Sequence, residues 1–95
     1  MRIRFTRRAQ TDLDAIFRYI AADNPRAAAK LVGHIESLID KLSLFPGLGH
    51  PTRPPGRYVL TVARTPYQVY YRLTQDQVHI LRIRHTSRRP LRTLP

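Results

Sequence analysis

Arginine dominates the chemistry available to this chain. Of 17 basic residues only Lys30 and Lys41 are lysines, against six acidic residues, for a formal net charge of +11. A guanidinium presents a planar fork that grips phosphate or carboxylate bidentately, which a lysine ammonium does not. The charge is also lopsided. Residues 1–45 hold eight basic and five acidic side chains, whereas residues 46–95 hold nine arginines and one acid, Asp76. Arg64, Arg72, Arg82 and Arg84 fall in alternating stretches, His85 follows them, and Arg88, Arg89 and Arg92 sit in a C-terminal run. The second half is therefore the expected binding half, and its partner is expected to be acidic. A genome that replaces lysine by arginine is an alternative source of the arginine preference; it accounts less well for the asymmetry.

Other chemistries are disfavoured. No cysteine occurs, so no disulfide, thiolate metal site or cysteine nucleophile can form. His34 and His79 have no partner at metal-ligand spacing, and neither a metal nor another cofactor is expected. No apolar run approaches the roughly 18 residues a bilayer span requires, and the N-terminus MRIRFTRRAQ lacks the apolar core of a secretion signal. A cytoplasmic protein without a membrane partner is the expectation. The 95 residues suffice for one domain, and 42% hydrophobic content suffices for it to fold.

The elements that would position these side chains follow from periodicity. Residues 1–5 read as a short strand, since Arg2-Ile3-Arg4-Phe5 alternates polar with apolar. Residues 6–45 read as a helical hairpin. Thr6 caps a first helix with the stripe Ala9, Leu13, Ile16, Phe17 and Ile20, which stops near Asp23. Asn24-Pro25 then restarts a second, because proline disfavours the helical conformation before it yet suits the first helical position. That helix carries Ala28, Leu31, Val32, Ile35, Leu38, Ile39 and Leu42 and ends before Phe45-Pro46-Gly47. Residues 46–56 hold four prolines and three glycines, too many breakers for regular structure, and read as a loop of ordered shape. Residues 57–85 read as a three-stranded meander: Tyr58, Leu60 and Val62; Tyr67, Val69, Tyr71 and Leu73; then Val78 and Ile80, with Leu81 and Ile83 on the opposite face. Residues 86–95 form a basic tail without a period. The whole is α+β, with the helices on one face of an antiparallel sheet.

A helical hairpin ending in Leu44-Phe45-Pro46-Gly47-Leu48-Gly49, then Tyr70-Tyr71-Arg72-Leu73, then Val78-His79-Ile80-Leu81-Arg82-Ile83-Arg84-His85 with Arg88-Arg89, resembles the ParE/RelE toxin superfamily of type II toxin-antitoxin systems. The final strand followed by Arg-Arg looks more like the ParE branch. The resemblance implies a cognate acidic antitoxin whose C-terminal segment wraps the toxin and covers an apolar groove. It also implies one of two targets. ParE-like members poison DNA gyrase by binding it, and RelE-like members cut mRNA on the ribosome without a metal.

Metal-free RNA cleavage needs a base for the 2′-hydroxyl, cations around the phosphate and a donor for the leaving oxygen. The candidates here are Arg64, Arg72, Arg82 and Arg84 for phosphate, His85 for proton transfer, and Tyr58 or Tyr70 for stacking on a base. The RelE-like pattern relies on sheet lysines or on a Glu and His pair, and residues 46–95 contain neither lysine nor glutamate. The ParE-like reading expects no catalytic residue and places target or phosphate binding on Tyr70, Arg82, Arg84, His85, Arg88, Arg89 and Arg92. A plain nucleic-acid-binding module is a third, weaker reading, since +11 favours any phosphate backbone but no basic recognition helix is evident. Each candidate has a structural alternative: His85 as an anchor for the C-terminal segment, the tyrosines as packing, the sheet arginines as a solvated face.

Overall fold

The computed structural model describes residues 1–86. Its elements are β1 (Arg2–Phe5), α1 (Arg7–Ala21), α2 (Pro25–Asp40), a 3-10 turn (Lys41–Ser43), β2 (His50–Pro51), β3 (Arg57–Val62), β4 (Tyr67–Leu73) and β5 (Gln77–His85). Both helix starts are built as the sequence implies. The Thr6 hydroxyl accepts from the Ala9 N–H and the Asn24 side chain from the Ala27 N–H, each satisfying a donor that the helix cannot. Pro25 stands at the start of α2, where its missing N–H costs nothing.

The five strands form one mixed sheet in the order β1-β5-β4-β3-β2. Strands β3, β4 and β5 are the antiparallel meander, while β1 pairs parallel with β5, matching Arg2–Phe5 to Gln77–Ile80. The breaker-rich stretch 46–56 differs from expectation in one respect. His50 and Pro51 form β2 on the edge of β3, a position that proline tolerates because its missing N–H faces away from the ladder. The alternation places Ile83 on the face opposite Val78 and Ile80, and the structure corrects this. Tyr70 pairs with Arg82 but Tyr71 with Ile80, so Leu81 is an extra residue in a bulge, which returns Ile83 to the buried side.

The helices cover one face of the sheet. Ile16, Ile35, Ile39 and Leu42 meet Leu60, Val62, Val69, Tyr71, Val78, Ile80 and Ile83 in a single core, joined by the partly buried Ile3, Phe5 and Leu13. Helix α1 packs on α2 and on β5. It is fixed at its start by the Thr6 hydroxyl, which donates toward the carbonyl of Ile80 at 2.9 Å. The loop after α2 is pinned through Tyr71. Its hydroxyl donates to the Pro46 carbonyl at 2.8 Å and accepts from the Gly49 N–H at 2.9 Å. Gly49 has to be glycine, because a Cβ there would lie 2.7 Å from the Val59 carbonyl oxygen and 2.8 Å from the tyrosine hydroxyl. The pinned loop leaves Leu44, Phe45 and Leu48 exposed. No helix among the described residues is long and apolar enough to cross a membrane.

Candidate functional site

The sheet face away from the helices carries a row of basic side chains that only the register reveals. Arg4 on β1 is opposite His79 on β5, His79 is opposite Arg72 on β4, and Arg72 is opposite Arg57 on β3. The flanking residues Ile3, Phe5, Tyr58, Tyr71, Leu73, Val78 and Ile80 all pack into or against the core, so alternation turns the four basic residues outward. With strands about 4.8 Å apart, the row spans about 14 Å. Like charges directly opposite each other weaken a sheet. No acidic residue interrupts this row, and among the described residues none of its arginines has an ion-pair partner.

Tyr70 lies on the same face one register step away, opposite Val59 and Arg82, and its hydroxyl donates to the Gln68 side chain at 3.3 Å. Arg84 is opposite Gln68. Arg72 and Arg84 therefore belong to the open face. Of the row, only Arg72 was singled out in the sequence. Arg4 and Arg57 carry no motif in the sequence, and His79 stands out there only as lacking a partner at metal-ligand spacing; a register, not a motif, brings them together.

Arg82 is differently placed. Its Nε donates to Asp12 of α1 at 2.8 Å, and the two side chains are only 13% and 16% exposed. The same carboxylate accepts the Ile83 N–H at 2.9 Å. Beyond Phe5 the β1 strand has ended, so Asp12 takes the place of a neighbouring strand along that stretch of β5. His85 meets the ring of Tyr67 edge-on at 5.1 Å, and the following N–H, of Thr86, donates to the Pro66 carbonyl. His85, Arg82 and Asp12 border a cavity of about 150 Å³ with Tyr19, whose ring is largely exposed.

Arg64 stands in the β3–β4 turn with φ +66°. The four residues that would serve as a nuclease are thus dispersed. Arg64 and His85 lie toward the Tyr67 end of β4, Arg72 lies five residues along that strand, about 17 Å away, and Arg82 is engaged by Asp12. Tyr58 is stacked on Tyr71 with ring centroids 5.3 Å apart, inside the packing beneath the row. Burial pushes the Tyr71 hydroxyl pKa up from its ordinary 10.0, against the opposing hydrogen bond from Gly49. Among the described residues no three His, Asp or Glu side chains gather in a way that could hold a metal. Arg88, Arg89 and Arg92 lie outside the described residues.

Residues 3–90 match the family model of the ParE toxin of the type II toxin-antitoxin system parDE. The protein Y4kP of Sinorhizobium fredii is 42% identical over 84 residues, covering 88% of this chain and 86% of its own length. Toxin ParE3 of Caulobacter vibrioides is 38% identical over 79 residues, 82% of this chain and 79% of its own. Among solved structures, a chain of the chromosomal ParDE toxin-antitoxin system from P. aeruginosa superposes with a TM-score of 0.79 at 33% identity, covering 92% of this chain and 97% of that one. With the fold, the register and these likenesses in agreement, the chain belongs to the ParE toxin family of type II toxin-antitoxin systems.

Proposed function

We propose that this toxin arrests growth in the cytoplasm by binding DNA gyrase, breaking no bond itself, and that a cognate acidic antitoxin neutralises it. One observation carries this reading: basic side chains line up across four strands of the open sheet face, while the residues named for a nuclease are dispersed. The row Arg4-His79-Arg72-Arg57 offers three guanidiniums and an imidazole along about 14 Å with no carboxylate among them. Of the two groups proposed for a ribosome-dependent nuclease at the β5 end, Arg82 has its charge taken up by Asp12 and His85 lies against Tyr67. In-line cleavage needs base, cations and acid around one phosphate, and about 17 Å along β4 separates Arg72 from the end that holds His85. On this reading Arg4, Arg57, Arg72, Tyr70 and Arg84 form the target-binding surface, extended by Arg88, Arg89 and Arg92. Arg82 serves to hold α1 on β5.

The test is a gyrase supercoiling and cleavage assay run beside a translating lysate probed for mRNA cuts, each with and without antitoxin. Inhibited supercoiling with intact mRNA, reversed by antitoxin and lost in the Arg57→Glu/Arg72→Glu variant, is the expected result. Codon-positioned mRNA cuts with unaffected gyrase would sink it and return His85 and the sheet arginines to a catalytic role. Maintenance of the plasmid or chromosomal segment that encodes the pair would follow from either target.

A further inference from the structure

Charge divides by layer in this molecule. Five of its six acids, Asp12, Asp14, Asp23, Glu36 and Asp40, lie on the helices or at the turn between them, and the sixth, Asp76, is in the β4–β5 turn. The helical layer therefore mixes both signs, and there Arg18 pairs with Asp14 and Arg82 with Asp12. The open sheet face does not mix them. Arg4, His79, Arg72 and Arg57 cross four strands in one register line, Arg4 and Arg72 exposed and the other two half-buried.

The rest of that face is polar as well. Thr61 is opposite Gln68, and Gln68 accepts the hydroxyl of Tyr70. The exposed large hydrophobics among the described residues, Met1, Phe17, Tyr19, Leu44, Phe45 and Leu48, all belong to the N-terminus, α1 or the loop after α2. Protein interfaces are carried by apolar and aromatic anchors at a centre poor in charge, whereas interfaces with DNA are more polar and far more positive. The open face has the second composition.

We infer that the row grips the phosphodiester backbone of duplex DNA, the DNA that gyrase holds, and that gyrase itself is met elsewhere on the toxin. The inference rests on the gyrase reading for the source of the DNA, while the contact itself needs no gyrase. A guanidinium fork matches phosphate oxygens bidentately. Each strand of a duplex places one charge per about 3.4 Å of axis, so a line of about 14 Å meets about four phosphates of one strand. Three guanidiniums and an imidazole without an intervening acid suit such an unbroken line of anions. Side chains like those of Thr61, Gln68 and Tyr70 join phosphate and sugar contacts, which fix position and carry no sequence information.

The experiment measures binding of short fluorescein-labelled duplexes of two unrelated sequences to the full-length toxin by anisotropy, over a series of salt concentrations and without gyrase. Supercoiling inhibition is followed with the same proteins. The variants are Arg57→Ala/Arg72→Ala and, with the charge kept, Arg57→Lys/Arg72→Lys. Arg26→Ala/Lys30→Ala removes the same charge from exposed positions on α2 and is the control. Each phosphate contact adds about 0.9 to the slope of log affinity against log salt. The alanine pair is therefore expected to lower the slope by about 1.8 and to weaken binding about tenfold or more at ~0.1 M salt, equally for both sequences. The lysine pair should keep the slope, and the α2 pair should change affinity by less than about threefold. Thermal melts of all variants report on folding.

Equal losses from the row and from α2 would reduce the binding to net charge and overturn the inference. Undiminished DNA binding by the alanine pair overturns it too; supercoiling inhibition lost in that same variant would then put the gyrase protein on the row and leave the gyrase reading intact. Row-dependent DNA binding by a toxin that leaves supercoiling untouched would uphold the contact and remove the gyrase reading. A single-stranded RNA of equal length bound more tightly than the duplex, through the same arginines, would transfer the row to RNA and overturn the inference.

Discussion

The two faces of the sheet treat polar groups in opposite ways. On the side that faces the helices and along the α1 seam, each polar group is answered: Arg82 and the Ile83 N–H by Asp12, the Tyr71 hydroxyl by Pro46 and Gly49, the Thr6 hydroxyl by β5. No buried side-chain nitrogen or oxygen among the described residues lacks a partner. On the open side, four basic residues stand in register with no acid between them. The difference teaches how to sort fifteen arginines. One paired with a carboxylate across 70 residues of sequence holds the fold together, whereas those lined up against their own charge are retained at a cost to the sheet and are the ones to assign to a partner.

If that division is right, the largest loss of stability comes from the seam. Asp12→Ala leaves a mostly buried guanidinium and the Ile83 N–H without an acceptor, and is expected to cost about 3 to 4 kcal/mol in urea denaturation. Arg82→Ala should cost less, because Asp12 keeps its bond to Ile83. An Asp12→Ala protein as stable as wild type would break the comparison, making the seam as dispensable as a surface pair.

Next in size is the loop pinned beneath the row. Gly49→Ala drives a methyl against the backbone oxygen of Val59, which cannot swing aside, at an expected cost of about 2 to 3 kcal/mol. Gly33→Ala on α2 meets nothing within 4 Å and should be neutral or stabilising by up to about 1 kcal/mol. Together the two substitutions separate crowding from the general effect of replacing glycine, and equal effects would show that the loop is not held as tightly as its geometry implies.

Tyr71→Phe follows, with an expected loss of about 1 to 2 kcal/mol from the unanswered Gly49 N–H and Pro46 carbonyl. It has a second signature. Because burial raises this hydroxyl above 10.0, the folded state holds the proton more tightly than the unfolded chain does. The associated stability is therefore complete below pH 10 and declines as pH rises from there through the raised value. Denaturation midpoints of wild type should fall more steeply above pH 10 than those of the phenylalanine variant. Parallel slopes would mean that the hydroxyl ionises as freely in the folded protein as in water.

The two faces were also unequally legible in the sequence. Local signals carried through: the caps at Thr6 and Asn24, Pro25 at the head of α2, and the alternation of β3, β4 and β5 were read from neighbours in the chain. Alternation along β5 misleads after Ile80: it puts Ile83 on the opposite face with Leu81, whereas the bulge at Leu81, which only pairing with β4 reveals, returns Ile83 to the core. What else depended on pairing across the chain was not legible either. The parallel seat of β1 beside β5, β2 in a stretch rich in proline, and the Asp12–Arg82 pair all require the register before they can be seen. The same holds for the basic row, since Arg4 and Arg57 look like ordinary surface residues until the strands are set side by side.

The smallest expected effect on stability is therefore the most informative. Arg57→Ala, Arg72→Ala and the pair together remove only exposed or half-buried cations that face one another, so the denaturation midpoint should stay where it is or rise slightly as like-charge repulsion is relieved. Over the same variants, inhibition of gyrase supercoiling should weaken stepwise and lose part of its salt sensitivity with each charge removed. A midpoint that falls with the arginines would place the row among the structural contacts and erase the contrast between the faces. An unchanged midpoint with undiminished inhibition would keep the contrast and move the target contact to the segment containing Arg88, Arg89 and Arg92, where charge removal should then have the effect the row lacks.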